Sequence, residues 1–185
     1  IVFVMIPCAP VLGQPGSTTP TPERAQKALL AAVEWLMSNQ ETDGAWGSHR
    51  NAAVGIDDFW TTPETHRSWR VATTALGCMT MLDLPRCDGT MKAFDHGIDY
   101  ILENALVKRI SEWDVDNVWA YVYAASALAR AYAVTPADRA ERRERIHELG
   151  QAVIKKMQET QTPNGGWGYY DFEAYAHPGS WATSF

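Results

Sequence analysis

Past its first dozen residues, the sequence has no apolar run approaching the ~20 residues a membrane-spanning helix requires. The internal uncharged run 71–82 (VATTALGCMTML) covers only about 18 Å as a helix, which fits a core helix. Excess positive charge is also absent. The formal net charge is −6, which disfavours nucleic acid or an anionic membrane surface as the main partner. Cysteine is scarce. Of the three, Cys78 and Cys87 can pair in an oxidising compartment, although Cys78 lies in the apolar run and reads more simply as a core residue. There is no Gly-rich phosphate loop, Ser-centred elbow or CxxC. No cofactor and no metal ion is expected.

Tryptophan, by contrast, is abundant, with eight residues that packing or a pocket must explain. Two of them end matching stretches, 40–46 (QETDGAW) and 161–167 (QTPNGGW), which share the spacing Q-x-x-x-G-x-W and continue with Gly47 and Gly168. Each follows a helix-like run, so together they indicate an internal repeat. Gly permits a turn with positive φ, the Gln amide can satisfy helix-end carbonyls, and the Trp ring packs over the turn. Gln40, Gly44, Trp46, Gln161, Gly165 and Trp167 are therefore assigned structural roles. None of the trio is a proton donor or nucleophile at neutral pH.

Residues 1–13 resemble the apolar segment and cleavage region of a signal peptide, which predicts export to the periplasm or beyond. Residues 14–20 read as a linker. Thr21-Pro22-Glu23 has the form of a helix start, followed by an apolar stripe at Ala25, Ala28, Leu29, Ala32, Val33 and Leu36. A second helix is predicted over about 68–82, uncharged from Val71 and so buried on every side. A third, amphipathic helix covers about 91–110; its Ile98-Asp99-Tyr100-Ile101 stands where Val33-Glu34-Trp35-Leu36 stands in the first. A fourth, again buried, covers 118–133. Thr135-Pro136 opens a fifth, amphipathic helix whose charges (DRAERRER) read as a solvated face. Residues 180–185 (SWATSF) read as the start of a sixth, so the sequence is expected to be part of a longer chain. Alternating amphipathic and buried helices require two layers, as in stacked hairpins closed into a ring.

Trp35-Leu36-x-x-x-Gln40-x-x-x-Gly44-x-Trp46, with the second copy from Gln161, resembles the QW repeat of squalene–hopene cyclases and the wider terpene-cyclase and prenyltransferase superfamily. The resemblance covers residues 21–185. It implies an all-α fold, an (α/α) toroid of helical hairpins, of which about three are present. The zinc-binding Asp-x-Cys of protein prenyltransferases does not occur. Nor does the Gly-Cys-Gly-Glu-Gln of thioester domains.

The middle hairpin lacks the Q-x-x-x-G-x-W stretch and carries Trp113 and Asp114-Val115-Asp116-Asn117 at that turn. This resembles the D-x-D-D acid motif of class II terpene cyclases, with Asn117 in the place of the last Asp. The resemblance implies that Asp116, with Asp114, would protonate an alkene or epoxide. Such an acid needs an apolar pocket that raises its pKa and aromatic faces for the cation. The same residues suit another role, since Asp116 or Asn117 is a fitting N-cap for the helix that follows. Trp60, Trp69, Trp113, Trp119, Tyr123, Tyr170 and Trp181 are the candidate pocket aromatics, with core packing as the alternative for each. His66 and His177, each before a Ser-Trp helix start, are expected to hydrogen-bond locally. The favoured function is a binding or structural repeat module with an aromatic-lined cavity, its partner an isoprenoid or other lipid, a glycan or a protein. A class II cyclase comes second. A toroid polysaccharide-active enzyme, requiring a carboxylate pair across a cleft, comes third.

Overall fold

Two Thr-Pro-Glu starts set the first two helices. Thr21 and Thr62 both adopt extended backbone and accept an N–H bond from the third residue on, Arg24 and Thr65, while Pro22 and Pro63 occupy the first turn. The computed structural model describes residues 20–50, 62–84, 88–108, 116–161 and 165–167. Within them lie helices α1 (Pro22–Ser38), α2 (Pro63–Asp83), α3 (Asp88–Asn104), α4 (Asn117–Val134) and α5 (Ala140–Glu159), and no strand. The fold is all-α. The expected signal segment and the sixth helix lie outside the described residues.

α2 packs against both α3 and α4, and α4 also against α5, whereas α1, α3 and α5 meet one another only marginally. α2 and α4 are therefore the central pair. They run parallel: near their starts the Ser68 hydroxyl donates to Asn117 Oδ1 at 3.0 Å, and near their ends Arg130 pairs with Asp83. α3 returns antiparallel to α2, with Arg70 stacked on the Tyr100 ring and Cys78 facing the Phe94 carbonyl. Small side chains allow the close approach. Ala120, Ala124, Ala127 and Ala131 recur at helical spacing on the buried side of α4. Trp46, Val71, Met81, Phe94, Ile98, Ile101, Leu128, Ile146 and Val153 complete one continuous core.

Several boundaries differ from the sequence expectation. α2 begins at Pro63 rather than near Ser68, because Thr62-Pro63-Glu64 repeats the start signal of α1. α3 stops at Asn104, whose amide donates to the Tyr100 carbonyl. Val107 then turns inward to accept the Tyr121 hydroxyl. Thr135-Pro136 does not open α5. Thr135 closes α4 by donating its hydroxyl to the Ala131 carbonyl at 2.7 Å, and α5 begins only at Ala140.

The two apolar helices are not buried on every side. α2 exposes a stripe at Trp69, Thr73, Leu76, Thr80 and Asp83, and α4 exposes Ser126 and Ala129 while half-exposing Val122, Tyr123 and Arg130. The charge run of α5 is not wholly solvated either. Arg139 pairs with Asp95 at 2.9 Å, Arg142 binds Asp99 and the Asp95 carbonyl, and Arg143 donates to the Tyr132 and Thr135 carbonyls while lying over the Tyr132 ring.

α1 shows what a neighbouring helix supplies. Its Ala28, Leu29, Val33 and Leu36 occupy the positions of Ala93, Phe94, Ile98 and Ile101 in α3. Phe94 is 2% exposed because α2 covers it, whereas Leu29 is 52% exposed. No residue of α1 is buried.

Candidate functional site

The two Q-x-x-x-G-x-W turns are built alike. Gln40 donates its amide to the Gly44 carbonyl at 2.9 Å, as Gln161 does to Gly165 at 2.7 Å. Gly44 and Gly165 both have φ near +90°. The Trp46 indole donates to the Leu36 carbonyl, ten residues back, and the Trp167 indole does the same to Met157. These residues hold turns and helix ends together, and the first turn is also driven into the core. There Gln40 reaches the Ala93 carbonyl of α3 at 2.8 Å, and the Trp46 ring lies against Gly77 and Gly97.

Of the candidate acids, Asp116 is described and Asp114 lies outside the described residues. Asp116 occupies the N-cap position of α4 without making a side-chain cap bond, so the capping role is not the one it plays. Its carboxyl accepts instead from the Trp69 side chain. The residue is 4% exposed, its Oδ1 has no hydrogen-bond partner, and among the described residues no cation pairs with it. Burial pushes its pKa up to about 6, against a smaller lowering by the Trp69 bond. Such a group sits as a protonated acid in mildly acidic solution and as a poorly solvated anion above neutrality. A perturbed acid beside aromatics is the kind of group that marks a functional site.

The shift fixes a pH dependence. Between the ordinary value of 3.8 and about 6 the folded chain holds a proton that the unfolded chain releases. The stability this group contributes is full below that window and is lost as pH rises through it. Asp116→Asn, which keeps an oxygen for Trp69 but cannot ionise, is expected to unfold at higher urea than the parent at pH 7.5. The gain should be about 1–3 kcal/mol and should shrink toward zero at pH 4. An equal difference at both pH values would mean that ionisation of Asp116 does not oppose folding.

Of the candidate pocket aromatics, the structure brings Trp69, Trp119 and Tyr123 to one end of the central helix pair. Trp119 and Tyr123 stack at 6.1 Å between ring centroids, and Trp69 is 39% exposed. Trp60, Trp113, Tyr170 and Trp181 lie outside the described residues, as do His177 and Cys87. Cys78 is a free, buried thiol whose pKa burial raises far above the ordinary value, so it is a core residue. The exposed stripes of α2 and α4 run side by side from Trp69 and Asp116 to the Asp83–Arg130 pair. From Trp69 to Asp83 that is about 20 Å of helix.

A second set of residues was not singled out by sequence. Glu64, 8% exposed, accepts the Lys108 backbone N–H at 3.2 Å and pairs with Arg67 at 3.3 Å, tying the start of α2 to the chain leaving α3. Beside it is a cavity of about 370 Å³ lined by Asp43, Pro63, His66, Arg67, Arg70, Tyr100, Glu103 and Asn104. The Thr62-Pro63-Glu64 start was legible and would have placed His66, Arg67 and Arg70 on one helix. Their meeting with α3 was not.

Among the described residues no group of His, Cys, Asp and Glu side chains could hold a metal ion, and no helix is long and apolar enough to cross a membrane. The chain is an all-α protein built on a parallel central helix pair. Comparison with protein-family models, curated proteins and solved structures finds no match to it.

Proposed function

We propose that the chain is an exported helical-hairpin module of the terpene-cyclase type, part of a larger (α/α) ring, which binds an isoprenoid-like ligand along the exposed faces of α2 and α4. The observation that carries this reading is the composition of that strip. Trp69, Leu76, Val122 and Tyr123 give it apolar and aromatic surface, and Thr80 and Ser126 give it uncharged hydroxyls. The Asp83–Arg130 salt bridge closes one end. Exposed apolar surface concentrated on one face marks an interaction site rather than a solvated wall. A flexible hydrocarbon chain suits its length.

Titration with farnesol, read by tryptophan fluorescence, tests the proposal. Saturable quenching is expected, with binding weakened at least ~10-fold in Leu76→Asp, because a charge placed in an apolar contact must be desolvated. Absence of saturable change with farnesol and with squalene would refute it.

Asp116 supports a second reading, in which the module also protonates its ligand. A buried carboxyl with a raised pKa and aromatic rings nearby has physical attributes of such an acid. Incubation with squalene should then yield a cyclic product that Asp116→Asn abolishes. Binding without product would leave the module a binder.

A further inference from the structure

The cavity between the first Q-x-x-x-G-x-W turn, the start of α2 and the end of α3 lies outside the strip described above, and its chemistry is opposite. Among the described residues its lining is mostly polar, with Pro63 and Tyr100 the apolar surface, and its charges cancel. Asp43 and Glu103 are balanced by Arg67 and Arg70. Arg70 is fully engaged: it grips both Asp43 carboxylate oxygens at 3.0 and 3.2 Å, donates to the Gly47 carbonyl at 3.2 Å and lies over the Tyr100 ring. This clasp fixes the cavity floor before any ligand arrives.

What remains available is mixed. Arg67 pairs with Glu64 on one side while its side chain stays 45% exposed, leaving guanidinium donors for the cavity. Glu103 is exposed and offers acceptors. One of the two Asn104 amide N–H groups donates to the Tyr100 carbonyl, which leaves the other and the oxygen. Burial, and then the charge of Arg70, lower the pKa of His66, so near neutrality the ring is uncharged; its N–H is spent on the Ser48 backbone, which leaves one acceptor nitrogen.

Each ligand class meets this set differently. An anion would face Glu103 and Asp43, and a cation would face Arg67 and Arg70. An apolar molecule would strand every one of these groups without water or partner, at a cost of kilocalories per group. Only a neutral ligand whose groups both donate and accept satisfies interleaved donors and acceptors without an opposing charge. Hydroxyl groups do this. The volume is at the small end for small-molecule sites, enough for about one or two sugar rings.

We infer that this cavity binds a neutral carbohydrate through Arg67, Glu103, His66 and Asn104, on the floor set by the Asp43–Arg70 clasp. The site is separate from the strip on α2 and α4, and neither requires the other.

The test is titration of the full chain with maltose, cellobiose and N,N′-diacetylchitobiose, with glucuronic acid and glucosamine as charged counterparts, read by saturation-transfer NMR and calorimetry. At least one neutral disaccharide is expected to bind saturably and more tightly than either charged sugar. Glu103→Ala and Arg67→Ala should each weaken it about 10-fold, the range expected for losing a hydrogen bond to a charged group. Glu103 is exposed, so its variant stays informative if the Arg67 variant is destabilised. Leu76→Asp should leave the sugar affinity unchanged. Absence of saturable binding to all three disaccharides, tighter binding of a charged sugar, or undiminished binding in Glu103→Ala would overturn the assignment.

Discussion

Trp46→Ala is expected to lower the unfolding free energy by about 3–5 kcal/mol, measured by urea denaturation followed by far-UV circular dichroism. Trp46 is 5% exposed and sits where the first turn meets α2 and α3. A Cβ on Gly77 would lie 2.4 Å from its ring and one on Gly97 2.9 Å from it, so both helices are shaped around the indole. Truncation would leave a cavity that two rigid helices cannot close. It would also remove the donor to the Leu36 carbonyl at 2.8 Å. The backbone of the same residue is held independently: its N–H donates to Thr74 Oγ1 at 3.0 Å, and its carbonyl accepts from Thr73 at 2.6 Å. The chain should therefore still trace the same turn, with loss confined to packing. Trp167, matched to it in sequence, is only half-buried, and Trp167→Ala should cost well under half as much. Equal losses would show that the indole–carbonyl bond, common to both turns, dominates over the packing that only Trp46 has.

Gly44→Ala is expected to cost about 3 kcal/mol or more, and Gly165→Ala only about 1 kcal/mol. Both glycines have φ near +90°, which strains any L side chain by a similar amount. They differ in what surrounds them. A Cβ on Gly44 would come within 2.3 Å of the His96 carbonyl oxygen, a backbone atom of α3 that cannot rotate aside, whereas one on Gly165 meets nothing within 4 Å. The clash would push the turn off α3 and break the Gln40 bond to the Ala93 carbonyl, so α1 should loosen along with the turn. Hydrogen exchange at the amides of α1 and α3 would report this. If both alanine variants lost the same small amount, the first turn would be less tightly docked than its geometry implies.

The two turns also mark how much of the molecule could be read from residue order. Gln, Gly and Trp at fixed spacing after a helix give each turn the hydrogen bonds the two share, because those partners lie within ten residues of the donor. Locality is what made them legible. The start of α2 was equally local and equally legible, since Thr62-Pro63-Glu64 carries the cap and proline of Thr21-Pro22-Glu23. The misassigned Thr135-Pro136 fails for the same physical reason in reverse. A threonine hydroxyl can close the helix behind it as readily as cap the one ahead, and Thr135 donates backward to Ala131.

Asp116 lies between these cases. Its position ahead of α4 was read correctly, but the direction of its carboxyl depends on Trp69, forty-seven residues earlier on another helix. The same holds for the arginines of α5, whose partners Asp95 and Asp99 belong to α3. Exposure was the least legible property. Apart from Asp83 and Arg130 at one end, the strip that α2 and α4 leave open carries no charge, so little in their composition separates the side that meets α3 or α5 from the side that meets neither.

The sequence by itself determined the all-α character, the helices and the two turns, since capping, helical periodicity and positive-φ glycines act within a few residues. The tertiary structure alone decided which faces of α2 and α4 stay open, that Asp116 is buried beside Trp69, and that Arg67, Glu103 and His66 share a cavity. Those outcomes depend on which helices lie side by side, and burial, desolvation and pairing are properties of neighbours in space.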